Sequence, residues 1–360
     1  MTEGKSMFIT GQIIIILLVL VLPLIVHRIE KNLEVFLFIM GVISATISHF
    51  FGPEHVWSLH LVKEALIEPI KITLAVFIAG FLFKKFRKSI TQGIAKSEQL
   101  LGPHIFAFFF IVGLGLLSSI ITAIIAALVL VEIINALPLD RKFEIRLTII
   151  ACFAIGLGAA LTPVGEPLST IATAKLKGPP YHADFFFLLK NLWFLIIPGV
   201  IVFGIIGAFL RAQQQKIVNA QSKVLQEEIT KDILMRTGKV YLFVMALLFL
   251  GAGFRPVIDT YIVPLGDIAL YWINTVSAIL DNATLVSAEI SPKMKLDQIQ
   301  FALMGLLISG GMLIPGNIPN IIAASKLDIK SKQWAKFGVP VGLTVLVVYF
   351  VLMYAFLITR

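Results

Sequence analysis

Residues 165–176 read GEPLSTIATAKL, and residues 316–327 read GNIPNIIAASKL. The two segments align without a gap at an offset of 151 residues, and five of the twelve positions are identical. Each segment places Gly, Pro and polar side chains inside a long apolar stretch. A lipid bilayer tolerates such breaks only where the freed backbone lines a cavity or contacts protein. Matching interrupted segments in the two halves of a chain indicate the binding site of a transporter.

The composition indicates a polytopic helical membrane protein. Of 360 residues, 58% are hydrophobic and 14% are charged, whereas soluble domains average roughly 45–50% and 25%. The apolar runs are continuous and as long as spanning helices, so we do not expect a strand barrel. The first run lacks a basic leader and a cleavage site, and we interpret it as a membrane helix. Cys152 is the only cysteine, which excludes an internal disulfide.

The net charge of +9 resides in the loops between predicted spans, so the positive-inside rule explains it without nucleic acid. Assigning alternate loops to one side collects 20 of the 30 Lys and Arg there. We expect that side to be cytoplasmic and both termini to be external, in the cell (inner or plasma) membrane. Residues 101–136 and 260–290 then begin and end on one side. Each is short for two crossings of about 20 residues, which predicts two re-entrant helical hairpins.

The sequence therefore predicts an all-α polytopic membrane protein built from inverted-topology repeats. Lys175 and Lys326 fall on opposite sides, so the two matching motifs run in opposite directions. Two discontinuous transmembrane helices are expected at residues 145–176 and 300–326. The expected divisions are two N-terminal helices (1–61), a first repeat (62–209), a cytoplasmic amphipathic linker (210–238) and a second repeat (239–360). Spans are predicted at residues 11–27, 34–51, 66–83, 145–174, 184–209, 239–256, 300–324 and 337–358.

The second predicted hairpin contains an acid at membrane depth, Asp281. A carboxylate there costs at least about 2.5 kcal/mol on insertion scales, so a functional role is the default hypothesis. Asn282 and Thr284 follow it, and carboxylate, amide and hydroxyl oxygens suit a small hard cation such as Na⁺. The alternative is a hairpin tip whose side chains satisfy only one another.

Glu166 is the second acid at membrane depth, and it lies in the first broken segment. Prolines remove donors and free carbonyls that can coordinate an ion. Where the helices restart, N–H groups and a positive dipole end are exposed. The alternative is a structural kink. The residues expected to break the helices are Pro163, Gly165, Pro167, Pro315, Gly316 and Pro319. The polar residues expected to line the site are Thr162, Ser169, Thr170, Asn317 and Asn320, with Asp281, Asn282, Glu166 and Asn317 as the Na⁺ candidates.

Other polar residues carry weaker signals. In the first hairpin, Ser119 and Thr122 could be ligands or could serve close helix packing. Glu132 and Glu289 lie near the hairpin ends, and we expect both to be solvated. Lys71 and Lys190 are explained by snorkelling to the interface. Glu68 could pair with Lys71 along its helix. The spacing of His49, His55 and His60 fits no metal template well.

Taken together, the broken motifs resemble the ion transporter superfamily, which includes NhaD-type sodium/proton antiporters, arsenite permeases and sodium-coupled dicarboxylate carriers. The chain is most similar there to predicted cation transporters of prokaryotes. The resemblance covers most of residues 62–358. It implies ion and substrate ligands at Asp281, Asn282 and Thr284, and broken helices at residues 162–170 and 315–320. It also implies a homodimer. The carriers' Ser-Asn-Thr triplets are absent here, which argues against a dicarboxylate substrate.

We therefore expect a secondary active transporter that exchanges Na⁺ or a similar monovalent cation for H⁺ at a midplane carboxylate. No enzymatic activity and no bound cofactor are expected, because the chain has no nucleotide-binding or zinc-helix motif. The main alternative is a sodium-coupled organic-anion or oxyanion symporter, in which helix N-termini hold the anion. A membrane-embedded hydrolase using Asp267 and Asp281 would need aspartyl motifs that are missing here. A passive channel is a further alternative.

Overall fold

A computed structural model describes residues 2–26, 28–29, 32–53, 55–215, 230–262, 266–279 and 282–355. These residues form helices joined by turns and irregular segments, and they contain no strand. The first half comprises α1 (Thr2–Ile25), α2 (Leu33–Phe51), α3 (Leu59–Leu101), α4 (Pro103–Ile121), α5 (Ala123–Ala136), α6 (Arg141–Ala159), α7 (Pro167–Lys175) and α8 (Phe187–Gln215). The second comprises α9 (Thr230–Val257), a π turn (Ile258–Ile262), α10 (Asp267–Ile273), a 3-10 turn (Asn274–Ala278), α11 (Asn282–Glu289), α12 (Leu296–Gly310), a 3-10 turn (Ile314–Gly316), α13 (Ile318–Lys326) and α14 (Ser331–Met353).

The expectation of a helical membrane protein is confirmed at this level. Within the described residues, five helical stretches are long and apolar enough to cross a membrane: Leu33–Phe51, Pro103–Ile121, Phe187–Gln214, Thr237–Val257 and Ser331–Met353. Their outward faces carry large apolar side chains, which are stable in contact with lipid rather than water. On α8 these side chains are Ile201, Val202, Ile205 and Phe209, and on α14 they are Leu343, Val347, Val348 and Val351.

Two helical regions extend beyond the predicted bounds. The span expected at residues 66–83 is part of α3, which runs for 43 residues and includes the segment 84–100 that we had treated as a loop. That segment is rich in Lys, Gln, Glu and Ala, which are good helix formers, so the helix ends only at Gly102, where φ is +79°. Of the residues expected in the linker, 210–215 belong to α8 and 230–238 belong to α9. Most of the predicted amphipathic segment lies outside the described residues.

The two matching motifs adopt the same backbone conformation. Helix α6 ends at Ala159 and α7 restarts at Pro167, while α12 ends at Gly310 and α13 restarts at Ile318. Glu166 and Asn317 precede the restarts in extended conformations, with φ/ψ of −156°/162° and −154°/146°. At the offset of 151, Gly165 N donates to Thr162 O (3.2 Å) and Gly316 N donates to Leu313 O (3.3 Å). The sequence match therefore reflects one local structure that occurs twice.

Thr122, between α4 and α5, and Asn282, at the start of α11, lie beside these breaks. Helices α4 and α5 meet at Thr122, and Ala123 N donates to Gly165 O at 2.8 Å. In the second half, an Asn282 amide oriented with its nitrogen toward the surrounding acceptors donates to Gly316 O at 3.2 Å. Gly165 and Gly316 are equivalent at the offset of 151. In both halves, the turn of a helical pair thus satisfies the same carbonyl, which the helix break leaves without an intrahelical donor.

The two halves pack through each other's broken segments. Helix α5 packs against α13, and α11 packs against α7, so each helical pair contacts the restarted helix of the other half. Arg141 at the start of α6 donates to Leu327 O (2.7 Å) and Asp328 O (2.6 Å). A guanidinium at these carbonyls caps the negative end of α13. The broken segments are therefore held at both ends by residues distant in sequence.

Close backbone contact explains one glycine and yields a stability prediction. A Cβ on Gly158 of α6 would lie 1.8 Å from Gly115 O of α4, whereas a Cβ on Gly113 of α4 meets nothing within 4 Å. We expect Gly158→Ala to separate the two helices and lower the free energy of unfolding by about 1–3 kcal/mol or more. Thermal unfolding of the purified protein in detergent measures this effect.

The matched control is Gly113→Ala, which adds the same atom on a facing helix without a clash. It should leave the midpoint unchanged or raise it slightly, because Ala favours the helix. Equal midpoints for the two variants would contradict the close α4–α6 contact.

Candidate functional site

The first break opens onto a cavity of about 420 Å³. Two acidic residues contribute to its wall: Glu166, which is buried at the start of α7, and the half-buried Glu68 of α3. Thr122 and Thr170 also line it, and Ile318 of the second half closes one side. Liquid water occupies about 30 Å³ per molecule, so this space is large enough for a hydrated monovalent cation. The cavity brings together two carboxyl groups and two hydroxyl-bearing residues from α3, the α4–α5 junction and the start of α7.

Thr122 is held in an unusual backbone conformation at this cavity. Its φ of +75° and ψ of +148° lie in a region that only glycine adopts readily, at a cost of about 1–3 kcal/mol. Its hydroxyl accepts from Ile125 N at 3.4 Å and thereby caps α5. Non-glycine residues keep such conformations mainly at functional sites, where the surrounding structure enforces them. This observation favours the predicted ligand role of Thr122.

Other predicted ligands of the first half serve the contact between turn and break. Thr162 Oγ1 donates to Ser119 O at 2.5 Å and accepts from Val164 N at 3.2 Å. Ser119 Oγ donates within its own helix, to Leu116 O at 2.7 Å. Thr170 Oγ1 donates to Pro163 O at 2.5 Å. These bonds join the turn to the break or hold the break itself. They leave the carboxyl groups as the main chemistry of the cavity.

Asn320 occupies the corresponding interior position of the second break. Its Nδ2 donates to Gly310 O (2.8 Å) and Leu313 O (2.9 Å). The equivalent residue of the first half, Ser169, makes a longer contact of 3.5 Å with Ala159 O. In the described part of the chain, the buried Oδ1 of Asn320 has no hydrogen-bond partner. That oxygen retains its lone pairs and is suited to a cation.

Asn282 contacts Gly310 and Gly316 at the second break. Its amide nitrogen donates to Leu306 O and Gly316 O, both at 3.2 Å, and Ser277 Oγ hydrogen-bonds to the same amide. A Cβ on Gly310 would lie 2.6 Å from this amide, so only glycine allows the approach. The predicted ligand Asp281 lies outside the described residues, as does the side chain of Thr284. Their roles stay predictions.

Asn317 connects the second break to the first half. It is buried, and its Nδ2 lies 2.6 Å from where a Cβ on Gly156 of α6 would be. Pro319 follows in the first turn of α13, and its carbonyl is 3.8 Å from Cys152 Sγ of α6. Pro315 and Gly316 form the short 3-10 turn before Asn317, and Pro167 is the first residue of α7. Of the predicted breaking residues, Pro163, Gly165, Pro315 and Gly316 lie in the two interruptions, whereas Pro167 and Pro319 lie in the first turns of the restarted helices.

The remaining signals do not join the site. Lys190 pairs with Asp184 at 2.7 Å on an exposed loop, and this hydrogen bond lowers the pKa of Asp184. The side chain of Lys71 lies outside the described residues. The rings of His49 and His55 are 4.9 Å apart. Among the described residues, no three His, Cys, Asp or Glu side chains converge as a metal site.

Sequence reasoning missed two acidic residues. Glu68 lines the cavity, although its sequence suggested only a pairing along α3. The prediction that Glu289 is solvated is wrong, because its side chain is 2% exposed. Glu132 is half-buried. Spacing within one helix cannot show that α3 approaches the first break or that α11 faces inward. A search for unmatched acids within apolar runs would have singled out Glu289.

Comparison with known proteins gives one family. A family model described as "Protein of unknown function (DUF1646)" matches residues 9–356. No curated protein matches the chain. The matched region includes both breaks and both helical pairs.

The hydrogen bonds of Asn320 yield a stability prediction. We expect Asn320→Ala to lower the free energy of unfolding by about 1–3 kcal/mol, because two buried carbonyls lose their donor. Ser169→Ala is the matched control at the equivalent position, and its effect should be smaller because its contact is longer. Thermal unfolding in detergent compares the two variants. A larger loss in Ser169→Ala would contradict the assigned role of Asn320.

Proposed function

Because the chain belongs to the DUF1646 family, whose description assigns no function, we propose a function from the geometry: a secondary active cation/proton antiporter, with Na⁺ as the cation. The observation that carries this proposal is the cavity at the first break, where Glu166 and Glu68 line one space together with Thr122 and Thr170. Hard oxygen ligands of this kind suit small cations.

Exchange follows from competition for the same carboxyl oxygens. A carboxylate binds either Na⁺ or a proton, and two acids sharing one cavity disfavour simultaneous ionisation unless a cation lies between them. Loading Na⁺ therefore releases a proton, and loading a proton releases Na⁺. The buried Oδ1 of Asn320 and the amide of Asn282 supply further oxygen ligands near the second break, next to the predicted ligand Asp281. Glu166 and Asp281 would be the exchanging groups.

The charge at the helix restarts favours a cation over an anion. A helix N-terminus attracts anions through its N–H groups and dipole. At α7, however, the N-cap residue is Glu166, so the chain already has an acidic residue at this helix start. A second anion in the 420 Å³ cavity would also meet Glu68. This electrostatic argument disfavours a sodium-coupled organic-anion or oxyanion symporter.

The proposed architecture supplies alternating access. We propose that the α4–α5 and α10–α11 pairs are re-entrant hairpins entering from opposite faces, and that the halves are inverted-topology repeats. The equal hydrogen bonds at the offset of 151 and the reciprocal packing of α5 on α13 and of α11 on α7 support this proposal. Movement of one bundle around the two breaks would expose the site to each side in turn. A cell-membrane location, external termini and a homodimer complete the proposal.

Removing the acid at the first break tests the function. We expect Glu166→Gln to abolish Na⁺-driven proton movement in proteoliposomes containing a pH-sensitive dye, because an amide does not exchange a proton. Glu68→Gln should weaken the apparent Na⁺ affinity. The control is Glu64→Gln, one turn away on α3, which lies outside the cavity and pairs with His60 at 3.6 Å. Full exchange by Glu166→Gln would exclude this carboxyl as the exchange site.

The sequence-based assignment of Asp281 is tested separately. We expect Asp281→Asn to lose exchange while the protein still inserts and purifies as a single species. The dye assay should be repeated with Li⁺, K⁺ and Mg²⁺ to identify the cation. Na⁺-stimulated uptake of an organic anion without proton counter-movement would support the symporter, and currents far above carrier turnover would indicate a channel.

A further inference from the structure

We propose that the second helical pair contains a proton-binding site made by Glu289 and Asn274, separate from the cavity of Glu166. In this site the Glu289 carboxyl is a neutral acid. Its oxygen Oε2 accepts a hydrogen bond from the Asn274 amide nitrogen, and the proton on Oε1 is donated to the Asn274 amide oxygen. The ligand of this site is a single proton.

The two side chains are buried and already joined by one hydrogen bond. Glu289 is 2% exposed and Asn274 is 1% exposed. Asn274 Nδ2 donates to Glu289 Oε2 at 2.9 Å and to Ala302 O at 3.2 Å. Both atoms that Nδ2 contacts are acceptors, which fixes the orientation of the amide. If the amide were flipped, its oxygen would face the Ala302 carbonyl oxygen without a hydrogen atom between them. The Asn274 amide oxygen is therefore on the side away from Ala302 O.

Two oxygen atoms of this pair lack hydrogen-bond partners. Among the described residues, Glu289 Oε1 and Asn274 Oδ1 are both buried and both unsatisfied. Both are acceptors as long as the carboxyl is ionised, so neither can satisfy the other. A proton on Oε1 makes it a donor, and an acid and an amide then form two complementary hydrogen bonds. One proton thus satisfies two buried groups, each of which destabilises the folded protein when it is unpaired.

The surrounding charges do not provide another partner for an ionised Glu289. Helix α11 packs against α7, α9, α12 and the π turn. In the described part of the chain, the hydrogen bond from Asn274 is the one polar contact that the Glu289 carboxyl makes. The charged or titratable side chains of known position on those elements are Lys175, Lys239, Tyr241, Arg255, Tyr261 and Asp297. Lys239 pairs instead with Glu34 at 2.9 Å, and Tyr241 donates to Leu66 O at 2.8 Å.

The first half shows that the fold does not need this polar pair. Ser118 Oγ donates to Ile155 O at 3.0 Å, and Ser277 Oγ donates to Leu306 O at 3.2 Å. Ile155 and Leu306 are equivalent at the offset of 151, so the serines that donate to them, Ser118 and Ser277, are also equivalent. The helical pairs are therefore aligned at an offset of 159 residues. At that offset the counterparts of Asn274 and Glu289 are Gly115 and Leu130.

Burying an acid is energetically unfavourable unless it is paired. Because the other half has a leucine at the equivalent position, helix packing alone does not explain why an acid is buried here. The pair is also close to the proposed transport site. Asn274 O accepts from Ser309 Oγ at 2.6 Å, and the same 3-10 turn carries Ser277, which binds the Asn282 amide. Loss of the proton would leave a carboxylate buried beside the start of this turn. Resting on the proposed function, we infer that protonation of Glu289 fixes the second turn against its break and that deprotonation loosens it.

Infrared difference spectroscopy of the reconstituted protein tests the proton site without any transport measurement. At neutral pH the wild type should show a carboxylic acid C=O band that shifts on H/D exchange. That band should be lost in Glu289→Gln and retained in Glu289-containing controls such as Glu64→Gln. Loss of a carboxylate band instead, with the acid band unchanged, would show that Glu289 is ionised and overturn the proposal.

A second variant keeps the test valid if Glu289→Gln does not fold. Asn274→Ala preserves the acid and removes its partner, so the C=O band should shift in frequency. An unshifted band would exclude the acid–amide pair. The glutamine of Glu289→Gln can itself donate to Asn274 Oδ1, so this variant should unfold at the wild-type midpoint, whereas Glu289→Ala should unfold earlier.

The coupling role has its own measurement. If the wild type exchanges Na⁺ for H⁺ in the dye assay, Glu289→Gln should lose the pH dependence of exchange, because its turn stays in the protonated arrangement. An unchanged pH profile would show that Glu289 binds a proton without controlling exchange, and it would overturn the coupling role. If the wild type shows no exchange, the proposed function fails, whereas the infrared result still decides the proton site.

Discussion

The structure depends on how the carbonyls freed by two helix breaks find donors inside the protein. Within a bilayer no water satisfies them, and each unsatisfied group costs several kcal/mol. Gly165 O is satisfied by Ala123 N, and Gly316 O is satisfied by the Asn282 amide. Both donors belong to the turn of a helical pair. The breaks therefore require the turns beside them, and this requirement is met twice in one chain.

This constraint brings polar groups to the interior at defined places. Because a turn must contact a break, Thr122 is adjacent to Gly165 and Glu166, and Asn282 is adjacent to Gly310 and Gly316. The reciprocal packing of α5 on α13 and of α11 on α7 joins the two breaks. Burying carboxyl, hydroxyl and amide oxygens there destabilises the folded protein, but these oxygens are suited to binding an ion. The proposed exchange chemistry uses the polar groups that the helix breaks place in the protein interior.

The two halves share a backbone but differ in their acids. Glu166 corresponds to Asn317, and Ser169 corresponds to Asn320, so the first break carries charge while the second carries amides. In the helical pairs the difference is reversed, because Asn274 and Glu289 have the apolar counterparts Gly115 and Leu130. A duplicated scaffold with complementary acids can hold a cation in one place and a proton in another. The proposed proton site of Glu289 depends on this asymmetry.

The sequence by itself determined the helical membrane class, the positions of both breaks and the match between them. These properties follow from apolar run length, from Pro and Gly inside those runs and from a gapless offset, all of which are local. Only the tertiary structure decided which helices approach the breaks. Nothing in the spacing along α3 places Glu68 in the cavity, and nothing along α11 turns Glu289 inward. Such placements depend on packing between helices distant in sequence, because a single helix face does not specify its neighbour. For the same reason, the sequence does not show that Ser119 and Thr162, which it predicts as ligands, also join the turn to the break through a hydrogen bond.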